Sequence, residues 1–298
     1  MGALRTQDLS RARPLLVGLL LTTSLACGGK RAKPRAVRAP VAQAAAPTSA
    51  DASRAGKDAA ELLRATHLPS ATLLGAVGAH KLTLKSHVAI TAEQPETLDE
   101  DTTLEVAGDG QFHLLHLNSR DYGQDVVLSG GNLFVRPRYG KYVRRPPEPG
   151  EPERLRDEAL GTLAAYLDVV GFALEAKGGK ATTAAGRPAL EVALGQGAGK
   201  APAASDDFPE RKWRETVVPV SIEGSVTLDQ ATGVPLAADV HLRYKHTRDG
   251  QTVETALALT LAVEAGATVA APAQGTWVDV PVRERPVLER DQLLGIER

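Results

Sequence analysis

The sequence predicts an α+β fold, in which a curved antiparallel sheet packs around one crossover helix. Apolar and polar residues alternate over much of residues 82–143, and the alternation returns after residue 178, as in half-buried strands. Between these regions, apolar residues within 153–175 recur every three or four positions, which places them on one face of a helix. This order of hairpins, one helix and further hairpins is typical of a sheet that curves around its crossover helix.

The N-terminal segment has the parts of a secretory signal peptide. Arg5, Arg11 and Arg13 supply positive charge, and residues 15–26 are uncharged and mostly apolar. A helix that spans a bilayer needs about twenty apolar residues, so this segment is too short for a permanent anchor. We therefore predict that residues 1–26 are a signal peptide that is removed.

A lipidation site is predicted at the end of this segment. Residues 24–28 read Ser-Leu-Ala-Cys-Gly and resemble the lipobox of bacterial lipoproteins, although Ser24 stands where the commonest pattern has Leu. Cys27 is the only cysteine of the chain, and an odd cysteine in an exported protein needs its own explanation. Lipidation of Cys27 supplies that explanation and predicts attachment to a membrane. The alternative is an ordinary signal peptide followed by an incidental cysteine.

Residues 27–50 are predicted to be a disordered tether. They are rich in Ala and Pro, lack aromatic residues and carry several basic side chains. Flexible-linker scaling gives a reach of about 25–30 Å. Gly28, where an Asp would favour retention in the inner membrane, favours the outer membrane, with the domain facing the periplasm. Residues 51–275 are then a single α+β domain, and residues 276–298 a peripheral C-terminal tail.

Charge excludes one class of partner. Without residues 1–26, the chain has 32 basic and 35 acidic side chains, a net charge of −3. Affinity for nucleic acid comes largely from neutralising phosphates with Lys and Arg. The sequence therefore gives no support for nucleic-acid binding.

Within the domain, each strand prediction rests on period-two alternation bounded by turn residues. In the first half, Gly108 and Gly110 mark one hairpin turn, and Gly130 and Gly131 mark another. Residues 51–66 are predicted to be a short helix, and the polar residues 195–212 a loop. The predicted strands are residues 82–90, 104–106, 112–117, 126–128, 133–136, 188–194, 216–228, 236–245 and 253–263.

Three segments resemble the Lol-type lipoprotein carriers and related lipid-carrying bacterial lipoproteins. The first is residues 130–143, in which Gly-Gly-Asn-Leu-Phe-Val-Arg is followed, two residues later, by Tyr-Gly-Lys-Tyr-Val. The second is the crossover helix. The third is residues 224–235, where Asp, Gly and Pro occupy the relative places that they often have in this family. The resemblance covers most of residues 82–263. It implies an open half-barrel of antiparallel strands with helices across its mouth, and a lipid or lipoprotein ligand held between sheet and helix. It implies no role for an individual residue.

One local cluster of basic and aromatic residues is a candidate contact for a lipid headgroup or a protein partner. Such interleaving occurs on surfaces that bind anionic ligands. The alternative is a solvated hairpin whose charges are offset by Glu148, Glu151 and Glu153. The cluster consists of Arg136, Arg138, Tyr139, Lys141, Tyr142, Arg144 and Arg145.

No constellation predicts catalysis, a metal or a cofactor. His113 and His116 are three apart on a predicted strand and therefore point to opposite faces. Residues 195–200 fail the phosphate-loop pattern, and no G-x-S-x-G elbow is present. The leading hypothesis is a non-enzymatic envelope lipoprotein that binds or carries lipid or another apolar ligand in a half-barrel cavity. The alternative is a structural or interaction module of the outer membrane without a ligand, and an enzyme comes third.

Overall fold

The computed structural model describes residues 49–203 and 209–280. Four α-helices, two 3-10 helices and twelve strands are found there. The helices are α1 (Ala52–Ala55), α2 (Ala59–Thr66), α3 (Ser70–Val77) and α4 (Glu151–Val170), with 3-10 helices at Gly171–Ala173 and Pro209–Thr216. The strands are β1 (His80–Thr91), β2 (Glu96–Val106), β3 (Phe112–Asn118), β4 (Gly123–Ser129), β5 (Asn132–Pro137), β6 (Tyr142–Arg145), β7 (Leu174–Ala184), β8 (Arg187–Gln196), β9 (Val218–Asp229), β10 (Pro235–Arg248), β11 (Gln251–Ala265) and β12 (Trp277–Asp279).

All twelve strands form one open, curved sheet, which confirms the predicted fold class. Their order is β12-β6-β5-β4-β3-β2-β1-β11-β10-β9-β8-β7. The chain starts at the centre with β1 and reaches β6 through successive hairpins. It then crosses to the opposite edge at β7 and returns by hairpins to β11. Strand β11 pairs with the whole length of β1. Every pairing is antiparallel except that of β12 with β6.

Helix α4 makes the crossing between the two edges, as the sequence predicts. Ten inter-strand spacings separate β6 from β7 in the strand order, which is about 48 Å along the sheet. The helix has 20 residues and is about 30 Å long. Curvature of the sheet brings its edges nearer to the two ends of this helix.

The space between α4 and the concave face is filled by side chains. Leu163 and Leu167 of α4 are buried in one cluster with inward-facing residues of the sheet, among them Leu84, Leu104 and Leu261. Burying a side chain of this size is worth about 1.5–3 kcal/mol. The contents of the half-barrel under α4 are therefore the protein's own hydrophobic core.

The segment that follows β11 lies against the outer, convex face. Val269 and Trp277 pack on a second apolar cluster made of Val127, Phe134 and Tyr142. The rings of Trp277 and Phe134 meet edge to face at 5.9 Å. Trp277, which the sequence places in the peripheral tail, thus begins the edge strand β12.

The predicted end of the crossover helix is wrong. The sequence extends the helix to Glu175, but α4 ends at Val170 and Leu174 already belongs to β7. The apolar spacing continues past the true end because Leu174 is buried as the first residue of the strand. A Cβ atom on Gly171 would lie 2.9 Å from Leu63 Cδ1, so the bend passes close to α2.

The remaining differences concern short elements. The predicted helix of residues 51–66 is two helices, because Asp58 leaves the helix and caps α2 by accepting a hydrogen bond from Ala60 N at 3.0 Å. The predicted loop of residues 195–212 contains the end of β8 and the start of a 3-10 helix. None of the described helices combines the length and the hydropathy that crossing a bilayer requires.

Candidate ligand-binding site

One end of the concave face carries apolar side chains that the core only partly covers. Leu82 and Leu84 of β1 are buried in the core, and Val88 and Ile90 continue the same face at two-residue steps. Both are only half-buried, as is Leu98, which pairs with Val88 across β1 and β2. We call Val88, Ile90 and Leu98 the open floor. It is an apolar surface at the end of the half-barrel.

A hydrogen-bonded group of polar side chains borders the open floor. The Tyr166 hydroxyl of α4 donates to Glu100 Oε2 at 3.3 Å and lies 3.3 Å from Ser86 Oγ. A hydrogen bond of 2.9 Å joins Thr102 Oγ1 to His116 Nδ1, and His116 Nε2 lies 3.6 Å from Glu100 Oε1. We call these five residues the inner network. They belong to β1, β2, β3 and α4.

The state of the Tyr166 hydroxyl follows from its surroundings. Burial, together with the neighbouring charge of Glu100, raises the pKa of Tyr166, so its phenol stays protonated at neutral pH. Tyr166 is therefore a hydrogen-bond donor to Glu100. Because Glu100 is the only carboxylate of the inner network, the group as a whole presents one negative charge beside the open floor.

Aromatic rings border the open floor on the other side. Trp213 stacks on Tyr244 with 6.5 Å between centroids and lies 5.0 Å from the ring of His246. Tyr244 pairs with Thr255, which pairs in turn with Ile90 of the open floor. Burial lowers the pKa of His246, so this ring is neutral at neutral pH. The open floor thus lies between a polar border and an aromatic border.

The basic and aromatic residues singled out in the sequence lie in three places. Arg136 packs on the outer face, where its guanidinium lies 4.4 Å from the ring centroid of Tyr142. Arg136 Nη2 and Nε donate to Asp125 Oδ2 at 2.8 and 3.1 Å, and His113 Nε2 lies 2.9 Å from Oδ1 of the same carboxylate. We call His113, Asp125, Arg136 and Tyr142 the outer network.

The outer network sets the ionisation of its own members. Burial alone would raise the pKa of Asp125, but hydrogen bonds from His113 and Arg136 outweigh it and lower the pKa. The hydrogen bond to Asp125 raises the pKa of His113. Burial, followed by the Asp125 hydrogen bond and charge, raises the pKa of Tyr142 to about 12. Asp125 is therefore ionised, and Arg136 balances its negative charge within the fold.

Arg144 and Arg145 also make contacts that build the fold. Arg144 Nε donates to Asp279 Oδ1 at 2.6 Å and lies over the Trp277 ring at 4.1 Å, which fastens β12 to the sheet. Arg145 donates two hydrogen bonds, of 2.7 and 2.6 Å, to the carboxylate of Glu151 at the start of α4. These bonds lower the pKa of Glu151 to about 2.

Arg138, Tyr139 and Lys141 lie in or next to the turn between β5 and β6. Tyr139 is 65% exposed, and its hydroxyl donates to Asp121 Oδ1 at 2.7 Å. Arg138 lies 3.4 Å from the same carboxylate atom. Lys141 is exposed and makes no ion pair within the described part of the chain. Of these three residues, Tyr139 and Lys141 are exposed, whereas Arg138 is half-buried.

The other sites considered in the sequence are placed as follows. Cys27 lies outside the described residues. His113 and His116 point to opposite faces of β3, as predicted, since one joins the outer network and the other the inner network. Within the described ranges, no three His, Cys, Asp or Glu side chains are grouped so as to hold a metal ion.

Sequence reasoning missed the inner network, although the sequence carries a signal for it. In β1, Ser86 occupies a position at which the alternation predicts an apolar residue. In β2, Glu100 and Thr102 occupy such positions. Polar residues at the positions of a strand that face the core are taken out of water, so they need hydrogen-bond partners. Tyr166 could not be added in this way, because it comes from α4 across the half-barrel.

No protein-family model and no curated protein matches the chain. Solved structures do match. A DUF1329 family protein from Desulfovibrio piger is 14% identical, with 73% of this chain and 95% of that chain covered and a TM-score of 0.22. A LolA superfamily protein from Nitrosomonas europaea is 9% identical, with 67% and 95% covered and a TM-score of 0.22. The complex of MucA and MucB from Pseudomonas aeruginosa matches at 17% identity, with 73% and 59% covered and a TM-score of 0.24.

Lol-type proteins, which the sequence resembles, are thus among the solved structures that match this chain. At identities of 9–17% and TM-scores of 0.22–0.24, these matches transfer no activity and no residue role. The fold class rests on the chain's own strands and helix, and the site rests on its own side chains.

Proposed function

We propose that this protein is a non-enzymatic envelope lipoprotein, anchored through Cys27, that binds one amphiphilic ligand at the open end of its half-barrel. The single observation that supports the proposal is the half-buried open floor of Val88, Ile90 and Leu98 beside a polar border. Ligand sites typically combine a mostly apolar surface with a few placed polar groups. A lipid or another chain with a polar head has both parts.

The filled core limits what such a ligand can occupy. Leu163 and Leu167 are 1% and 0% exposed, so the region under α4 is already occupied by protein. The acyl chain would lie on the open floor instead of running beneath the helix. This placement differs from the position between sheet and helix that the family resemblance implies.

The inner network favours binding over catalysis. It contains hydroxyl, imidazole and carboxylate groups, the types used in nucleophilic catalysis. However, Thr102, the hydroxyl that meets His116, is buried. A nucleophile must reach its substrate, and the buried Thr102 hydroxyl does not. The inner network therefore fits the polar border of a binding site better than a catalytic site.

The filled core also favours a second candidate, a structural or protein-interaction module of the outer membrane without a ligand. In that case the open floor would be the surface that a protein partner covers. Both candidates make the same residues important, so they are separated by whether a small molecule accompanies the protein.

We expect native mass spectrometry of the chain without its predicted signal peptide, residues 27–298 carrying Cys27→Ser, to show a co-purifying lipid mass. Val88→Asp, which puts a charge on the open floor, should remove that mass. Ala89→Asp is the matched control, because Ala89 is the next residue on the same strand and faces outward. A mass without ligand in the parent protein would contradict lipid binding and favour the interaction module.

We further propose that the turn between β5 and β6 contacts an anionic lipid headgroup or protein partner. Tyr139 and Lys141 support this proposal because both are exposed and the lysine has no ion-pair partner within the described part of the chain. Each basic residue near an anionic surface contributes about 1 kcal/mol. The paired Arg136, Arg144 and Arg145 would contribute through the fold instead.

A further inference from the structure

Resting on the proposed function, we propose that the ligand carries an ammonium group, and that Glu100 of the inner network binds it while the ligand's apolar chain lies on the open floor. The ligand class is therefore a cationic or zwitterionic amphiphile with an amine in its head. The site consists of Glu100, His116 and Tyr166 beside Leu98 and Val88.

Glu100 differs in its partners from the buried carboxylates of the fold. Within residues 49–203 and 209–280, four carboxylates are buried and each has an arginine partner. Removing an ion from water costs several kcal/mol, and such a partner offsets that cost. The four pairs are Glu61 with Arg64, Asp125 with Arg136, Glu151 with Arg145, and Asp229 with Arg187.

Glu100 lacks such a partner. Its side chain is 22% exposed, and within residues 49–203 and 209–280 its only ion-pair neighbour is His116 at 3.6 Å. Its other neighbours are the hydroxyls of Tyr166 and Ser86, which carry no charge at neutral pH. The inner network therefore leaves a partly buried negative charge without a permanent cation.

The unused capacity of Glu100 points to a donor from outside the chain. A carboxylate has about four lone-pair sites. Tyr166 and Ser86 both approach Oε2, at 3.3 and 3.5 Å. Among the described residues, the polar contact found for Oε1 is His116 Nε2 at 3.6 Å, which is beyond an ordinary hydrogen bond. An ammonium group carries three donors and a full positive charge, which matches the side of Glu100 that the protein leaves unsatisfied.

The surroundings fit the rest of the ligand. Leu98 lies two residues from Glu100 on the same face of β2, and Val88 pairs with Leu98. The exposed ring of Tyr122 packs edge to face on His116 at 6.2 Å. An amphiphile can thus place its head at Glu100 and its chain on the open floor.

The test measures binding of two single-chain amphiphiles, dodecylammonium and dodecanoate, to residues 27–298 carrying Cys27→Ser. Isothermal titration calorimetry is run below the critical micelle concentration of each. We expect dodecylammonium to bind the parent and Glu100→Gln to weaken it about tenfold or more, as for loss of a hydrogen bond to a charged group. Dodecanoate should not lose affinity in the variant. Asp101→Asn is the matched control, since Asp101 follows Glu100 but is 62% exposed on the outer face.

A second variant keeps Glu100 and places a positive charge of the protein beside it. His116→Arg would give Glu100 the internal guanidinium that the four buried carboxylates have, and we expect it to weaken dodecylammonium binding as well. Equal affinity of the parent and both variants for dodecylammonium would overturn the ammonium site while leaving the open floor in place. If neither amphiphile binds the parent, the proposed function itself fails.

Discussion

The inner and outer networks have nearly the same composition and lie on opposite faces of the same sheet. Each joins a carboxylate, a histidine of β3 and a tyrosine: Glu100, His116 and Tyr166 inside, and Asp125, His113 and Tyr142 outside. The outer carboxylate is 6% exposed and has Arg136 at 2.8 Å. The inner carboxylate is 22% exposed and has no arginine partner in the part of the chain that the structure describes.

This one difference separates a structural group from a candidate binding group. In the outer network every charge has its partner within the fold, so the cluster holds β3, β4, β5 and β6 together. In the inner network the fold leaves a charge without a cation at the edge of an apolar surface. The presence of His, Tyr and an acid therefore does not by itself identify a functional site, and the two networks differ in the balance of charge around those residues.

Asp125→Ala is expected to lower the free energy of unfolding more than any other change in the two networks. It leaves Arg136 without its partner, and removing one member of a buried pair is strongly destabilising. Because Arg136 is 36% exposed, solvent reduces the loss to about 2–3 kcal/mol in the free energy of unfolding. Urea denaturation followed by circular dichroism measures it.

Glu100→Gln is the matched change on the inner face, and it should cost less than about 1 kcal/mol because no ion pair with Lys or Arg is lost. Equal losses from Asp125→Ala and Glu100→Gln would contradict the distinction between the two networks.

A smaller effect is expected in the pH dependence of the outer network. The hydrogen bond to Asp125 raises the pKa of His113, so folding favours the protonated ring. This stabilisation is fully present below the unfolded pKa of about 6.5 and is lost as the pH rises through the higher folded pKa. The stability difference between the parent and His113→Gln should therefore shrink from pH 6 to pH 9. It should stay below about 1 kcal/mol, because the His113 side chain is 35% exposed.

Urea denaturation of both proteins at each pH measures that difference, and the NMR titration of the His113 ring locates its midpoint directly. A difference that grows with pH would contradict the raised pKa.

The smallest effect is expected at the turn between β5 and β6. Of the seven residues singled out in the sequence, Arg136, Tyr142, Arg144 and Arg145 are engaged by the outer network, β12 and Glu151. The exposed residues of the turn are those left to contact an anionic surface. Lys141→Ser should weaken binding to phosphatidylglycerol vesicles by about fivefold at low salt. Lys180→Ser, on the far edge strand β7, is the control. Unchanged vesicle binding by the double variant Tyr139→Ser, Lys141→Ser would exclude the turn as a contact.

The strands of the sheet could be predicted because one face of each is buried, which produces a visible alternation of residues. β7 shows where this fails. Most of its side chains are exposed on both faces at the edge of the sheet, and its register with β8 shifts between Ala176 and Gly179. Helix α3 has eight residues and only two buried side chains, so no helical period marks it.

The inner network could be predicted only in part. Ser86, Glu100 and Thr102 are visible as polar residues on an apolar phase. That Ser86 lies opposite Glu100 depends on the register of the β1–β2 hairpin, and that Tyr166 meets them depends on where α4 crosses the concave face. That no described arginine pairs with Glu100 is visible only in three dimensions, since Arg side chains occur throughout the sequence.

The pairing of β1 with β11 has a consequence for how the chain folds. Each half of the sheet is a series of hairpins between neighbouring segments, but the seam at the centre joins His80 to Ala265 and continues to Thr91 and Glu254. Contacts between such distant segments form slowly, because a long loop must close first. Until β11 arrives, β1 is an unpaired edge with a largely apolar inner face, open to pairing with another chain. A chain cut short before β11 is therefore expected to aggregate, even though most of its hairpins are intact.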